Sequence, residues 1–250
     1  MVDLHTHILP CFDDGSKSCE ETVQLIKMEV DDGVKTIALT PHFMYTRYPI
    51  SEFVQKRSQS CEAVKKALSL SNMRINIITG AEVLLCPEML NAGDLKELCY
   101  SNTDFMLVEL PVDYYRGWIP EVLYQLKLRG ITPVVAHVER YPYFVQHAEI
   151  LYDLVLSGSI AQINADSAIA ADHKKRSFIS NLIEHNLVHI VSSDAHSLSH
   201  RPPRLREAMQ IIEKKYGSDV ADYYKTNSDR IADNQEPEWW EPVKIRKKLF

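Results

Sequence analysis

The sequence predicts an α/β fold closed into a barrel, as one domain over residues 1–250, and three observations carry that expectation. Short β-branched runs alternate regularly with stretches of helical period. Most of those runs are continuously apolar, as parallel strands buried on both faces must be. Seven of them can be counted, which suits a barrel better than an open sheet. The composition, 45% hydrophobic and 25% charged with 8 Gly and 12 Pro, is that of a globular chain and excludes disorder and low-complexity scaffolds.

The first strand is expected at Val2–Ile8. Ser18 followed by Glu21 then fits a capping box, with Val23, Ile26 and Val30 on one helix face and Gly33 as the stop. A second strand spans Lys35–Thr40, and Ser51 opens a long amphipathic helix through Phe53, Val54, Cys61, Val64 and Leu68. Strands at Ile75–Ala81 and Phe105–Leu110 follow. Helix Ile119–Leu128 ends at Gly130, strand Thr132–His137 comes next, and helix Ile150–Leu156 ends at Gly158. Strands at Ile160–Asn164 and Val188–Ser192 complete the seven. Pro202 and Pro203 open a further helix carrying Leu205, Met209, Ile211 and Ile212. The stretch after about Asp219 breaks the pattern, and Trp239 and Trp240 suggest that it packs onto the body.

The net charge of −6 makes nucleic acid a poor partner, because polyanion binding leaves a basic footprint. No apolar run reaches the roughly 18 residues of a membrane helix, so no membrane insertion is expected. The N-terminus lacks the basic and apolar blocks of a signal peptide. Five cysteines, Cys11, Cys19, Cys61, Cys86 and Cys99, include no C-x-x-C pair, which suits reduced thiols in the cytoplasm.

The informative pattern is where metal-capable side chains fall. His5 and His7 lie two apart in the first strand and so share a face. Asp13 and Asp14 follow in the next loop. His42, Glu82, Glu109 and His137 fall at the ends of the next four strands, and Asp194 and His196 close the seventh. Six of the seven strands deliver His, Asp or Glu at the C-terminal end, where parallel barrels place active sites. Each residue alone has a plainer reading, as a helix cap or a surface histidine; their convergence does not. Without a metal, so many buried ionisable groups would cost several kcal/mol per unpaired charge, which points to a multinuclear metal site. Mixed imidazole and carboxylate donors without thiolate suit Zn²⁺, Mn²⁺ or Fe²⁺. His147, His173 and His185 read as solvated helix positions, and His189 as the outer face of a strand.

Arg140 and Arg201 follow ligand candidates closely, while Arg47 and Arg116 lie in loops after the second and fourth strands. A metal cluster ringed by arginines fits an oxyanion such as phosphate. No cysteine has an arginine six positions later, so a thiol-phosphatase loop is missing. Pro10 breaks the nucleotide-binding loop that Gly15-Ser16-Lys17-Ser18 would otherwise complete.

Taken together, His5-x-His7, Pro41-His42, Glu82, His137 and Asp194-x-His196 resemble the successive motifs of the PHP (polymerase and histidinol phosphatase) superfamily. With Ile8-Leu9-Pro10, Asp13-Asp14-Gly15, Gly80-Ala81-Glu82, His137-Val138-Glu139-Arg140-Tyr141 and Ser193-Asp194-Ala195-His196, the likeness narrows to bacterial protein-tyrosine phosphatases. These are encoded with the tyrosine kinases of capsular and exopolysaccharide synthesis, and the resemblance runs from Val2 to about Arg201. It implies a distorted (β/α)₇ barrel holding three metal ions, typically Mn²⁺, with Fe, Co or Zn as alternatives. His5, His7, Glu82 and Asp194 would hold the first ion. Glu82 would bridge to a second, bound also by Glu109 and His137, while Asp14, His42 and His196 would hold the third. Arg140 and Arg201 match the phosphate-binding arginines, and Arg47 is a further candidate for substrate binding. Two departures, Cys11 and Val138, fall on no ligand.

The resemblance implies hydrolysis of phosphotyrosine, on a cognate bacterial tyrosine kinase, by hydroxide formed at the metal. Metal coordination brings the pKa of water towards about 7. A phenol, with pKa near 10, leaves more readily than an alkoxide. Two alternatives stand beside this one: a histidinol-phosphate-type phosphomonoesterase, and a non-catalytic regulator of the kinase.

Overall fold

Parallel pairing of the apolar runs builds the whole sheet. In the computed structural model of the chain, which describes residues 1–71, 73–169 and 172–245, every strand pairing is parallel. The first half runs β1 (Val2–Thr6), α1 (Cys19–Asp31), β2 (Thr36–Leu39), β3 (His42–Phe43), α2 (Ile50–Leu70), β4 (Asn76–Thr79) and β5 (Glu82–Leu84). Two 3₁₀ turns, Pro87–Asn91 and Leu95–Leu98, lead to β6 (Phe105–Glu109), α3 (Ile119–Leu128) and β7 (Thr132–Val135). Then come α4 (Pro142–Gln146), α5 (Ala148–Leu156), β8 (Ile160–Asn164), α6 (Ala165–Ile169), α7 (His173–Glu184) and β9 (Ile190–Ser192). Helices α8 (Leu205–Tyr216) and α9 (Ser218–Ala232) end the described fold.

Two of the expected strands are broken. The second stops at Leu39 and resumes as β3 past Pro41, which has no N–H to give a neighbour. The third stops at Thr79 and resumes as β5 past Gly80-Ala81. The Gly80 bend leaves no slack, since a Cβ there would stand 3.0 Å from the Tyr100 ring. Backbone bonds carry the ladder across both breaks: Gly80 N donates to Leu39 O at 2.9 Å and Glu82 N to Pro41 O at 3.1 Å. The strand segments thus form seven staves. Pairing runs β4-β2-β1 and β9-β8-β7-β6-β5-β3, and a parallel bridge between Thr6 and Ala195 joins β1 to β9. The α/β barrel expected from the sequence is what the chain builds.

An inner apolar cluster, including Leu4, Ala38, Phe105, Leu107, Val134, Ile160 and Ile190, fills the barrel. A larger one packs helices onto its outside. The register of β1 against β2 shifts between Asp3 and Thr6. That bulge lets both Leu4 and His5 face inward, although they are neighbours in the chain. It also turns the buried Asp3 outward, where its carboxylate accepts hydrogen bonds from the Ser193 amide.

Helix starts follow the local signals only in part. Ser18 caps α1 by accepting from Glu21 N at 3.2 Å, but Glu21 answers to Lys17 N rather than Ser18 N. Helix α2 starts at Ile50, capped by no side chain. The stretch after Asp219 is largely helix α9, which packs on β1 and β9, with Trp240 stacked on Tyr223 at 4.2 Å. His189 is fully buried rather than solvent-facing, with Trp239 over its ring at 4.5 Å; burial drives its pKa down to about 3.

Asn227 ties this C-terminal segment to the barrel. Its amide donates to the carbonyls of His189 and Glu238, and its oxygen accepts from Glu238 N at 2.7 Å. Asn227→Ala leaves the buried His189 carbonyl without this partner and frees the Glu238 backbone, at a cost of about 1–3 kcal/mol. Thermal melting is expected to fall by roughly 2–4 °C per kcal/mol, with metal content unchanged. Unaltered melting would show that this tie carries no stability.

Candidate metal centre

The seven staves end on one face, and nine expected ligands meet there. His5 Nε2 lies 3.0 Å from His7 Nε2, 3.5 Å from Glu82 Oε1 and 3.4 Å from Asp194 Oδ1. Glu82 is the hub: Oε1 is 2.8 Å from His137 Nε2, and Oε2 is 2.9 Å from His42 Nδ1 and 3.2 Å from His7 Nε2. Glu109 sits 3.7 Å from His137. Asp14 Oδ1 lies 3.3 Å from His42 Nε2 and 3.4 Å from His196 Nε2, on the solvent side of the cluster. Three groups have donor atoms within 4.8 Å of one another: His7, Asp14, His42 and His196; His5, His7 and Asp194; His42, Glu82 and Glu109.

Local backbone aims several of these groups. His7 lies one residue beyond β1, and the loop after it folds back so tightly that a Cβ on Gly15 would stand 1.6 Å from His7 O. Only glycine permits that approach. His137 and Asp194 both take left-handed backbone, with φ of 34° and 54°. Such residues cost about 1–3 kcal/mol each unless their surroundings hold them. Asp194 N donates to His5 O at 2.9 Å, and His137 N donates to the Gln162 side chain at 2.8 Å.

The electrostatics are those of a site built for cations. Burial works against the Glu82 carboxylate, but His5 and the other imidazoles hold its pKa well below the usual range. Asp194, although buried, is held at about 2 by His5 and His7. Burial raises Glu109, and the Glu82 charge adds to it. Burial opposes protonation of His5, yet Glu82 and Asp194 raise its pKa, and Asp13 and Glu82 do the same for His7. Burial and the His7 charge bring His196 down to about 4. The buried Nδ1 of His137 has no hydrogen-bond partner, while its Nε2 lies 2.8 Å from Glu82 Oε1. Imidazole and carboxylate donors crowded this closely, with no thiolate among them, fit hard or borderline divalent ions.

Arg140 and Arg201 reach the centre. Their Nη1 atoms donate to Asp194 Oδ2 at 3.3 and 3.0 Å, and Arg201 Nη2 lies 3.7 Å from Asp14. Arg47 does not join them: it is exposed and lines a separate groove beside the rim. Arg116 is engaged with Asp113 and Tyr114. His147, His173 and His200 are exposed, and His185 caps α7.

Three side chains position the candidate ligands: Asp13, which the sequence marks only as a metal-capable neighbour of Asp14, and Gln162 and Asn164, which it does not mark for the site. Asp13 accepts from His7 Nδ1 at 2.8 Å and from His42 N at 3.0 Å, which leaves His7 Nε2 as the free donor atom. On β8, the stave without a ligand, Gln162 accepts from His5 Nδ1 at 3.2 Å as well as from His137 N. Gln162 then donates to Asn164, whose amide donates to Asp194 at 2.7 Å. In the sequence, Asp13 is marked by its doublet with Asp14. The only trace of Gln162 is an amide interrupting an apolar strand.

Comparison with known proteins places this geometry. A family model described as "Capsular polysaccharide synthesis, CpsB/CapC" matches residues 1–232. The chain belongs to the CpsB/CapC family. Tyrosine-protein phosphatase YwqE of Bacillus subtilis is 31% identical over 261 residues, covering 100% of this chain and 99% of that protein. Tyrosine-protein phosphatase CpsB of Streptococcus agalactiae is 32% identical over 242 residues, with 94% and 99% covered. Among solved structures, one from work on YwqE and pneumococcal CpsB, "unique metal-dependent tyrosine phosphatases", superposes with a TM-score of 0.91 at 29% identity, covering 99% of this chain and 100% of that one.

In this CpsB/CapC chain, Gln162 is the test of ligand positioning. Gln162→Leu keeps the packing volume but frees the His5 ring and the His137 amide. Affinity for Mn²⁺, titrated calorimetrically, is expected to fall by about 10- to 100-fold, with less loss in Gln162→Glu, which keeps the acceptor. Equal affinity in all three proteins would remove the role.

Proposed function

We propose that this CpsB/CapC-family chain is a metal-dependent protein-tyrosine phosphatase. The observation that carries the reading is the meeting of nine His, Asp and Glu side chains with two arginines at one end of the barrel. The names of its full-length relatives support phosphotyrosine as the substrate class.

In this reading His5, His7, Glu82 and Asp194 hold one ion, Glu82, Glu109 and His137 a second, and Asp14, His42 and His196 a third. Bound there, divalent ions supply Lewis acidity and, by lowering the pKa of water towards about 7, a nucleophile at neutral pH. The chain's own groups do the rest. Arg140 and Arg201, anchored through one nitrogen each on Asp194, keep further N–H donors for the non-bridging phosphoryl oxygens. Their charge grows in value as negative charge spreads over those oxygens in the transition state. Asn164 supports the same Asp194 oxygen from the interior, so the arginines are aimed before substrate arrives. No strong general acid is needed, because a phenolate leaves near its pKa of about 10. Mn²⁺ as the working metal, a bacterial tyrosine kinase of capsule synthesis as the target, and action in the cytoplasm complete the proposal; no described helix is long and apolar enough to cross a membrane.

The test sets a phosphotyrosine peptide beside histidinol phosphate, with and without Mn²⁺. Metal-dependent turnover of the peptide with little of histidinol phosphate is expected, and the reverse preference would overturn the assignment. Arg201→Ala should lose about 10²- to 10³-fold in kcat yet keep its metal complement. His137→Ala should lose metal and activity together. Near-native turnover of His137→Ala at saturating Mn²⁺ would show the ligand set to be wrong.

A further inference from the structure

Beside the metal centre lies a groove that the proposed chemistry does not use. It encloses about 1020 Å³ between the loop after β3, the first turns of α2, and Ala92–Glu97. Its near end touches the centre: the Tyr48 hydroxyl donates to the carbonyl of His42 at 3.4 Å. The His42 side chain is itself 32% exposed there. The loop after β3 and the turns after β5 both leave the C-terminal ends of their strands, so the groove opens on the catalytic face.

Its lining mixes apolar and charged side chains. Tyr48, Ile50 and Val54 line it together with Arg47, Asp94 and Glu97, so apolar surface and charges of both signs share the groove. Among the described residues, neither Arg47 nor Asp94 has an ion pair through its side chain. Both charges are therefore free for a partner. The volume stands at the upper limit of about 300–1,000 Å³ for small-ligand pockets, far more than a phenyl phosphate fills. In a bound phosphotyrosine the aryl ring holds the phosphorus away from the substrate backbone. The backbone must then cross the rim, at the level where this groove begins.

We propose that the groove seats the polypeptide flanking the phosphotyrosine of a protein substrate, with a basic residue of that segment against Asp94 and Glu97 and an acidic one against Arg47. The inference rests on the tyrosine-phosphatase reading and deepens it. Arg47 then acts in selecting the protein substrate, outside the phosphate cradle of Arg140 and Arg201. A free aryl phosphate, lacking flanking residues, makes none of these contacts.

The experiment uses the full Mn²⁺-loaded chain, p-nitrophenyl phosphate, and phosphotyrosine peptides that carry Lys or Glu at matched positions on either side. Two variants occupy or reverse the groove: Gln55→Trp and the double change Asp94→Lys, Glu97→Lys. Both are expected to raise KM for the Lys peptide at least tenfold with kcat retained, and to leave kcat/KM for p-nitrophenyl phosphate within twofold. The charge reversal should also turn the preference towards the Glu peptide. Circular dichroism melts matching the parent confirm intact folds. If KM for the peptides does not move, or if p-nitrophenyl phosphate turnover falls in parallel, the groove is not a substrate site. A parent protein that hydrolyses p-nitrophenyl phosphate and no phosphotyrosine peptide would overturn the functional reading and the groove together; active parent and indistinguishable variants would overturn the groove alone.

Discussion

Glu82 is 1% exposed and has four imidazoles from three other staves against its carboxylate, at 2.8, 2.9, 3.2 and 3.5 Å. A carboxylate shut away from water costs several kcal/mol unless opposing charge and hydrogen bonds return it. The barrel meets that requirement only if the ends of β1, β3, β5 and β7 arrive together in one register. A slip of one residue along any stave would turn its ligand out of the barrel. The bulge in β1 and the breaks at Pro41 and Gly80-Ala81 are the local departures from ideal strands that this convergence needs. Strain at His137 and Asp194 belongs to the same demand: both sit just past strand ends and turn sharply to present a side chain inward.

A second set of residues keeps the first from drifting. Imidazole has two nitrogens, and a ring that can exchange tautomers or flip is a poor ligand. Asp13 fixes His7, and Gln162 fixes His5. The Gln162–Asn164 pair also joins β1, β7 and β9 through a strand that offers no ligand of its own. A ligand-free stave is therefore a structural member of the metal site. Amides suit that place because they both donate and accept without adding charge to an interior already rich in carboxylates.

The candidate ligands were legible in the sequence because they occur as short local patterns, His5-x-His7 and Asp194-x-His196 among them, at the ends of apolar runs. Strand–helix alternation carried the fold for the same reason, since both depend on neighbours in the chain. What escaped depends on partners far away. Whether Gln162 supports a histidine is decided by His5, 157 positions earlier, and nothing beside Gln162 records it. Arg47 read as one of several rim arginines, because a loop's direction does not follow from its composition. The breaks in the second and third staves were hidden by continuous β-branched sequence on either side of them. The helix over Ser218–Ala232 was missed for a related reason: its polar surface and terminal tryptophans look irregular until Tyr223 and Trp240 are seen to stack.

The proposed reading places chemistry and recognition on different parts of this molecule, and the division has a physical basis. Most of the candidate ligands stand at or just beyond strand ends, where the parallel staves hold them and a displacement of an ångström would cost both metal affinity and rate. The groove stands on the β3–α2 loop and the turns after β5, which carry no ladder and can change sequence without disturbing the barrel. Arg140 and Arg201 lie at the boundary, tied to Asp194 on one side and open to solvent on the other. A phosphoryl group bound between the arginines and the metal ligands would be gripped through features common to every phosphotyrosine. Discrimination among proteins must then come from what flanks the phosphotyrosine, the part proposed here for the groove in the adjoining loops.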